Sequence, residues 1–269
     1  MNVLEKIVLE KRKQVQEEKK LFPVELLERS IYYTSECVSL KKYLVRDDKC
    51  GIIAEIKKKS PALGAINPHV KVEKLSIGYM QAGASALSVL TDKKFFEGSN
   101  TDLTTARKYN FCPILRKDFV IDEYQVIEAR SIGADAILLI AAILSKEEIT
   151  RFTLLAHKLG MEVILELHAE TELQKINDDI DVVGVNNRNL ETMKIDVETS
   201  KSMARLIPPG FTKISESGIE NPAIVMELKQ LGYDGFLIGS HFMKHPEPEK
   251  ACAEFIRQVN KLKKDTHAA

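Results

Sequence analysis

The 269-residue sequence lacks the features that mark nucleic-acid binders and membrane proteins. Its 39 basic and 39 acidic side chains cancel to a formal net charge of zero, whereas a nucleic-acid binder needs an excess of Lys and Arg on one face. No apolar run approaches the roughly 20 residues that span a bilayer. The N-terminus, MNVLEKIVLEKRKQ, is charged too early and too often for a signal peptide. We therefore expect a cytoplasmic protein with no nucleic-acid or membrane partner.

Patterns of metal-ligating residues are also scarce. The four cysteines are far apart and form no C-x-x-C pair, which argues against a zinc site or a disulfide framework. They are Cys37, Cys50, Cys112 and Cys252. Cys112 begins an apolar segment, where we expect a buried small hydrophobe. The six histidines do not cluster with carboxylates at metal-binding spacing. The composition therefore predicts metal-free chemistry in a reducing compartment.

What the sequence does contain is a series of eight short apolar runs, separated by longer helical patterns. Each run has strand length and is nearly continuously apolar, as strands buried on both faces should be. The runs are GIIAEI (51–56), ASALSVL (84–90), CPILRK (112–117), ADAILLIA (134–141), MEVILEL (161–167), DVVGVN (181–186), FTKISES (211–217) and GFLIGS (235–240).

The segments between the runs carry helix start and stop signals. Ser145 with Glu148 forms a capping box, and Asn221 is an N-cap followed by proline at the first helical position. Gly160 and Gly232 end the same two segments. Eight β-then-α units predict an α/β fold, a closed (β/α)8 TIM barrel. A doubly wound open sheet would instead place G-x-G-x-x-G after the first strand, where this chain has KKKSPALG.

About 50 residues precede the first run, and a barrel does not need them. The segment NVLEKIVLEKRKQVQEEKK predicts an amphipathic helix packed on the barrel, with a second short helix after Pro23. Its apolar residues at helical spacing are Leu4, Ile7 or Val8, and Val15, with charges elsewhere. Because barrel active sites lie at the C-terminal ends of the strands, this extension could also cover that mouth. We expect one barrel domain over residues 1–269, with residues 1–48 as an N-terminal helical extension.

Polar residues at the C-terminal ends of barrel strands face the active site. Glu55 and Lys57 lie two residues apart, so a continuing strand puts both on one face. Glu166 lies in an apolar strand, where burial raises the pKa of a carboxyl group unless a lysine pairs with it. We therefore expect carboxylates and lysines to meet at one mouth. The polar residues at the strand ends are Glu55, Lys57, Ser88, Arg116, Lys117, Glu166, Asn186, Arg188, Glu216, Ser217 and Ser240.

The ends of the last two strands resemble a phosphate site. SESGIENP and LIGSHFM each carry a small residue and a glycine just past a strand. Barrels often bind phosphate here, because glycines let backbone N–H groups approach an anion closely and a helix N-terminus adds favourable partial charge. Gly218, Gly239 and Ser240 are the predicted phosphate-binding residues.

The ordered motifs of this chain resemble those of the indole-3-glycerol phosphate synthase family over nearly its whole length. They are IIAEIKKKSPALG, SVLTDKKFFEGS, PILRKDFVIDEYQ, GVNNRNLETMKID, ISESGI and LIGSHFM. The resemblance implies a carboxy-lyase of tryptophan biosynthesis that acts on 1-(2-carboxyphenylamino)-1-deoxyribulose 5-phosphate. The enzyme would close the indole ring with loss of carbon dioxide and then water, giving indole-3-glycerol phosphate. The family uses no cofactor and no metal. Nothing in the sequence requires a dimer, and we expect a monomer with a phosphorylated small-molecule substrate.

The resemblance also implies roles for individual residues. Lys117 would be the general acid that protonates the substrate's carbonyl oxygen as the aryl carbon attacks. Glu166 would assist proton transfer and hold this lysine in place. Glu55 and Lys57 are both candidates for the base of the dehydration.

The remaining site residues of the resemblance bind or orient the substrate. Asn186 would form a hydrogen bond near the reacting hydroxyl, Ser217 would complete the site, and Phe96 would pack against the anthranilate ring. The phosphate and substrate contacts are Arg188, Ser60, Gly218, Gly239 and Ser240. The chain departs from the family pattern in ALG after Ser60-Pro61 and in HFM after the last strand.

Two rival functions make different demands on the sequence. Phosphoribosylanthranilate isomerase, another phosphate-binding barrel, needs a Cys and Asp acid–base pair, but Cys50 lies at the wrong end of the first strand. A non-catalytic barrel that senses an anionic metabolite predicts loss of at least one acid–base residue, and none is missing.

Overall fold

Eight parallel strands close into a barrel, and each predicted apolar run contains one of them. The computed structural model describes residues 2–190 and 192–268, the last three by their backbone alone. The strands are β1 Ile52–Ile56, β2 Ala86–Leu90, β3 Ile114–Lys117, β4 Ala136–Ile140, β5 Glu162–Leu167, β6 Val182–Asn186, β7 Thr212–Glu216 and β8 Gly235–Ile238. Neighbours in sequence are neighbours in the sheet, and β1 pairs with both β2 and β8. The predicted barrel is confirmed.

Helices surround the barrel and precede it. They are α1 Val3–Leu21, α2 Val24–Leu27, α3 Leu40–Leu44, α4 Val72–Gln81, α5 Lys93–Phe96, α6 Asn100–Tyr109, α7 Glu123–Ser131, α8 Lys146–Lys158, α9 Glu198–Met203, α10 Pro222–Gln230, α11 Ser240–Met243 and α12 Pro248–Ala268. Two 3-10 helices span Ala141–Ile143 and Glu170–Lys175. Within the described residues, none of the helices combines the length and the apolar character needed to cross a bilayer.

The predicted helix signals lie where the helices begin and end. Ser145 and Glu148 form the capping box of α8, and Asn221 caps α10 with Pro222 in its first turn. Gly160 follows α8 with a φ of 80°, in the left-handed region that glycine adopts without steric cost. The local signals and the tertiary structure therefore agree at both helices.

The buried side chains form two layers, because residues alternate between the two faces of each strand. Ile53, Leu115, Ile164 and Ile214 belong to the cluster inside the barrel. The same inner cluster contains Leu40 and Leu44 of α3, so this short helix closes the N-terminal end of the barrel. The larger cluster lies between the strands and the outer helices. The opposite, C-terminal end is left for polar side chains.

The N-terminal helix α1 packs at this end of the barrel, where the strands have their C-termini. Its buried residues are Ile7, Lys11 and Val15, four residues apart on one face. The predicted helix and its apolar face are confirmed, but the expectation that its charges lie elsewhere is wrong for Lys11. Tyr124 of α7 fixes the end of α1 by donating a hydrogen bond to the backbone oxygen of Phe22 at 2.9 Å.

Candidate active site

A cavity opens at the C-terminal ends of the strands, and α1 forms part of its wall through Val3, Leu4 and Ile7. All twelve predicted site residues line this cavity. They are Glu55, Lys57, Ser60, Phe96, Lys117, Glu166, Asn186, Arg188, Ser217, Gly218, Gly239 and Ser240. Strand alternation explains why the inner cluster continues into polar residues. Glu55 is two residues beyond Ile53, Lys117 two beyond Leu115 and Glu166 two beyond Ile164.

Lys117 lies at the centre of the polar groups. Its Nζ is 2.5 Å from Glu166 Oε2 and 2.6 Å from Glu216 Oε2, so residues of β3, β5 and β7 meet at one ammonium group. Lys117 is 13% exposed and both carboxylates are almost fully buried. Sequence reasoning noted Glu216 at a strand end but gave it no role. Its position alone could have identified it as a site residue, since Glu216 ends β7 two residues beyond the inward-facing Ile214.

The pKa values of the two carboxyl groups that share Lys117 are shifted in opposite directions. Burial raises the pKa of Glu216 to about 7, and the charge of Glu166 adds to this effect while Lys117 opposes it. Burial also acts to raise the pKa of Glu166, but Lys117 and His168 outweigh it and hold that pKa below the usual range. Burial disfavours the charged form of Lys117, yet the attraction of Glu166 and Glu216 raises its pKa above the ordinary lysine value. Near neutral pH the site holds an ammonium group, an ionised Glu166 and a partly protonated Glu216.

A second ion pair lies on β1. Lys57 Nζ is 2.6 Å from Glu55 Oε1, and the pair shares the face that the two-residue spacing predicts. Gly239 makes room for it, because a Cβ atom at this position would collide with the Glu55 carboxylate. Gly239 therefore serves the geometry of β1 as well as the backbone after β8.

The chain turns sharply after β7. Ser217 and Gly218 both have positive φ values, 70° and 76°, and a serine in this region is uncommon and strained. Asn187, buried beside the turn, donates a hydrogen bond from Nδ2 to the backbone oxygen of Ser217 at 2.9 Å. At the next strand end, Ser240 begins the short helix α11. Residues of both turns line the cavity, as Arg188 does.

Asn186, which ends β6, and Arg188, in the loop after it, form the neighbouring wall. Asn186 Oδ1 accepts a hydrogen bond from the backbone N–H of Arg188 at 3.0 Å, which fixes the start of this loop. The guanidinium of Arg188 donates to the backbone oxygen of Met193 at 3.1 Å. Burial lowers the pKa of Arg188, and the charge of Glu55 opposes that change.

Aromatic side chains form the wall across from β7 and β8. Phe96 of α5 and Phe119, just after β3, have ring centroids 6.0 Å apart, and both line the cavity. Phe119 was missed by the sequence reasoning, because nothing in LRKDF distinguishes a wall residue from a buried one. Ser60 lies in a short antiparallel hairpin, Lys59–Ser60 with Gly64–Ala65, within the loop after β1. Its Oγ accepts a hydrogen bond from the backbone N–H of Leu63 at 3.2 Å.

A buried ion pair network connects α1 to this aromatic wall. Lys11 Nζ is 2.8 Å from Asp92 and 2.8 Å from Asp118. Asp92 caps α5, which carries Phe96, and Asp118 directly follows Lys117. Burial alone would lower the pKa of Lys11, but the two aspartates raise it above the ordinary value.

Two strand-end residues do not reach the cavity, which corrects the prediction for them. Arg116 points outward, because it alternates with the inward-facing Lys117, and it pairs with Glu128 of α7 at 2.5 Å. Ser88 is fully buried inside the barrel next to Glu55 in the strand register and does not line the cavity. The rule that strand-end polar residues face the site fails for Arg116 because the rule ignores the side of the strand, and it fails for Ser88 because this side chain is fully buried inside the barrel.

The barrel and the polar cavity at its strand ends define the class of protein, an enzyme built on a TIM barrel. The family model for indole-3-glycerol phosphate synthase matches residues 4–255. The chain belongs to this family, the carboxy-lyases of tryptophan biosynthesis.

Relatives named indole-3-glycerol phosphate synthase are similar over almost the whole chain. The one from Bacteroides thetaiotaomicron is 45% identical over 258 residues, which cover 96% of this chain and 99% of the relative. The one from Thermoanaerobacter pseudethanolicus is 37% identical over 260 residues, covering 96% and 98%.

Solved structures extend the likeness of the fold. A tryptophan synthase alpha chain from Legionella pneumophila aligns with a TM-score of 0.61 at 14% identity, covering 82% of this chain and 95% of that one. A mutant alpha-subunit from Pyrococcus furiosus aligns with a TM-score of 0.59 at 14% identity, covering 80% and 99%. At this identity the likeness concerns the barrel fold alone.

Proposed function

We propose that this chain closes the indole ring of 1-(2-carboxyphenylamino)-1-deoxyribulose 5-phosphate and releases carbon dioxide and water, giving indole-3-glycerol phosphate. The observation that carries the proposal is the position of Lys117. A buried ammonium group held by two carboxylates faces the same cavity as an aromatic wall and two glycine-containing turns. The substrate has a matching group for each of these features. Its aryl carboxylate end matches the aromatic wall, its phosphate ester matches the turns, and the carbonyl between them matches Lys117.

Lys117 is the general acid of ring closure in this proposal. Attack of the aryl carbon on the carbonyl places negative charge on the carbonyl oxygen, and an alkoxide does not accumulate unaided. The ammonium group of Lys117 donates a proton to that oxygen, and Glu166 and Glu216 keep the group charged and oriented. The attacking aryl carbon carries the carboxylate, and breaking its bond to carbon dioxide returns the electron pair to the ring and restores its aromaticity.

The ends of the cavity bind the two ends of the substrate. Phe96 and Phe119 pack against the anthranilate ring, and the turns with Gly218 and Gly239 receive the phosphate through backbone N–H groups, with Ser240 at the start of α11. An enzyme that holds both ends brings the aryl carbon and the carbonyl together, which removes much of the entropic part of the barrier.

The dehydration uses the ion pair of β1. Ring closure leaves a hydroxyl on the former carbonyl carbon, and its loss as water needs a proton for the oxygen and a base for the neighbouring proton. Glu55 and Lys57, 2.6 Å apart, form a donor and acceptor pair suited to this step. Asn186 forms a hydrogen bond to the departing hydroxyl, Ser217 completes the site, and Ser60 and Arg188 contact the substrate.

The protein works in the cytoplasm, as a monomer, with no cofactor.

Removal of the proposed acid tests the function. We expect the wild-type protein, mixed with the anilino-deoxyribulose phosphate, to produce the absorbance and fluorescence of an indole. Lys117→Ala should lower kcat by roughly 100- to 10,000-fold, the usual contribution of general acid catalysis. Lys158→Ala, at an exposed lysine of α8 outside the cavity, serves as the control and should keep normal activity.

Two outcomes would contradict the proposal. Normal turnover by a folded Lys117→Ala variant, with an unchanged far-UV circular dichroism spectrum, would show that another group is the acid. Tight binding of the substrate by the wild-type protein without any indole product would instead indicate a barrel that senses the metabolite.

A further inference from the structure

His168 is a nearly buried titratable residue next to Glu166 that the mechanism above does not use. It follows β5, two residues beyond Glu166, and its side chain is 7% exposed. Its Nε2 is 2.7 Å from Glu166 Oε1, and its Nδ1 is 3.0 Å from the backbone oxygen of Arg188. The ring therefore joins the end of β5 to the loop that carries Arg188.

The chemistry of the two partners fixes the protons on the ring. A backbone carbonyl only accepts hydrogen bonds, so Nδ1 must carry a hydrogen to make the contact with Arg188. A carboxylate oxygen also only accepts, so the contact between Nε2 and Glu166 needs a second proton between these two atoms. The pair therefore contains one proton more than a neutral imidazole beside a carboxylate.

The surrounding charges place this second proton on the ring. Lys117 contacts the other oxygen of Glu166 at 2.5 Å and favours the ionised carboxylate. Glu172 accepts a hydrogen bond from the backbone N–H of His168 at 2.7 Å, which adds a negative charge close to the ring. Glu216 lies beyond Lys117, and Arg188, whose backbone oxygen contacts His168, is on the adjacent loop after β6.

We propose that His168 is a positioning residue of the active site, a doubly protonated imidazolium that holds Glu166 ionised and oriented toward Lys117. The proposal rests on the proposed function, in which Lys117 is the acid that Glu166 keeps charged. Burial acts to lower the pKa of His168, but Glu166 and the Arg188 carbonyl outweigh it and raise that pKa above the usual value. Donation from Nδ1 to Arg188 also fixes the loop after β6 relative to β5.

Substitutions at position 168 separate the two contacts. His168→Ala removes both of them and should lower kcat roughly ten- to a hundredfold, the usual effect of losing a hydrogen bond to a charged group. His168→Asn keeps a donor where Nδ1 was but does not reach Glu166, and should lose kcat like His168→Ala. His168→Gln keeps a neutral donor where Nε2 was, and should recover most of the activity at pH 8.

The pH profile distinguishes a charged ring from a merely structural one. A neutral amide stabilises the Glu166 carboxylate less than an imidazolium does, so the acid limb of kcat should move to higher pH in His168→Gln. A ring that only tethers the Arg188 loop would raise KM in these variants and leave the acid limb in place, and this result would overturn the proposal.

NMR spectroscopy measures the protonation state of the His168 ring without any turnover of substrate. In 15N NMR spectra of the unliganded wild-type protein, the His168 ring should show two protonated nitrogens at pH 7, assigned by the signals missing from His168→Gln. One protonated nitrogen at pH 7 would overturn the proposal. Because no catalysis is involved, an imidazolium signal from a wild-type protein that binds the substrate without forming indole would refute the proposed function and leave the His168–Glu166 pair intact.

Discussion

Glu216 combines a contact with Lys117 and an oxygen that has no hydrogen-bond partner among the described residues. Its Oε1 lies beside Gly184, where a Cβ atom would be 2.8 Å away, so only glycine leaves room for the carboxyl group. A buried carboxylate with an unpaired oxygen costs stability. Burial raises the pKa of Glu216 to about 7, so this cost appears when the group ionises.

Glu216→Gln should therefore stabilise the protein at alkaline pH while it impairs catalysis. Because the folded-state pKa lies above that of an unfolded glutamate, the wild-type carboxyl contributes stability at low pH and loses it as the pH rises through about 7. The amide does not titrate. We compare the free energy of unfolding of the variant with that of the wild type at each pH. This difference should favour the variant by roughly 1–3 kcal/mol more at pH 8 than at pH 4. Urea denaturation at the two pH values measures this, and a larger loss of stability at pH 8 would contradict it.

For single residues, the sequence predicted a place in the site wherever position along a strand is enough to decide it. Glu55, Lys117 and Glu166 could be placed because period-two alternation and the barrel rule bring strand ends to one mouth. Arg116 was placed wrongly because the rule was applied without asking which side of the strand it occupies. The role of His168 could not be predicted, since its carbonyl partner lies on another loop.

Among the elements, α1 differs most from a simple amphipathic helix. It buries a lysine between two aspartates that lie on the loops after β2 and β3. Asp118 also pairs with Arg116, and although burial raises its pKa, Lys11 and Arg116 lower it to about 2. The helix is therefore fixed to the loop that carries Phe96 and to the loop that begins with Asp118, next to Lys117, and the ordering of both loops depends on it.

Lys11→Met should weaken both stability and substrate binding. Removing one partner of a buried ion pair leaves uncompensated charge, which costs about 3–5 kcal/mol. Loss of the contact to Asp92 should also loosen α5 and raise KM. Lys13→Met, at an exposed lysine of the same helix, should change stability by less than about 0.5 kcal/mol. Urea denaturation and steady-state kinetics of both variants check this, and equal behaviour of the two would contradict the role of Lys11.

Helices and strands were the part of the structure that the sequence predicted best. Apolar runs, the capping box at Ser145 and the proline after Asn221 are local signals, and all correspond to observed elements. The partners of Lys11 were out of reach of local patterns, because Asp92 and Asp118 lie 81 and 107 positions further along the chain (92 − 11 and 118 − 11). A charged residue on a helix predicts exposure unless such partners are known.

For the whole molecule, a bound phosphate should stabilise the folded barrel. A ligand at a hundred times its Kd adds about 2.7 kcal/mol, which raises Tm by roughly 5–10 °C for a chain of this size. We expect glycerol 3-phosphate to raise Tm of the wild-type protein and to lose this effect in Ser240→Asp, where a carboxylate repels the anion. Ser202→Asp, at an exposed serine of α9, is the control. Differential scanning calorimetry measures the shifts, and an equal shift in Ser240→Asp would contradict the predicted phosphate site.

The architecture of the whole molecule followed from counting β-then-α units, because a sheet of eight such units closes on itself. The organisation as one barrel domain with residues 1–48 as an extension stays a prediction, as does the monomeric state. Both depend on which surfaces associate in solution. Neither hydrophobic periodicity nor the residues at strand ends predicts such association.

The pairing of β1 with β8 has a consequence for synthesis on the ribosome. Ile52 is translated early, but its partner Phe236 emerges only after six other strands have been made. Until then the growing sheet has two open edges with unpaired peptide groups, the kind of surface on which chains aggregate. Chaperone demand during expression should therefore be set by the time between the first strand and the last.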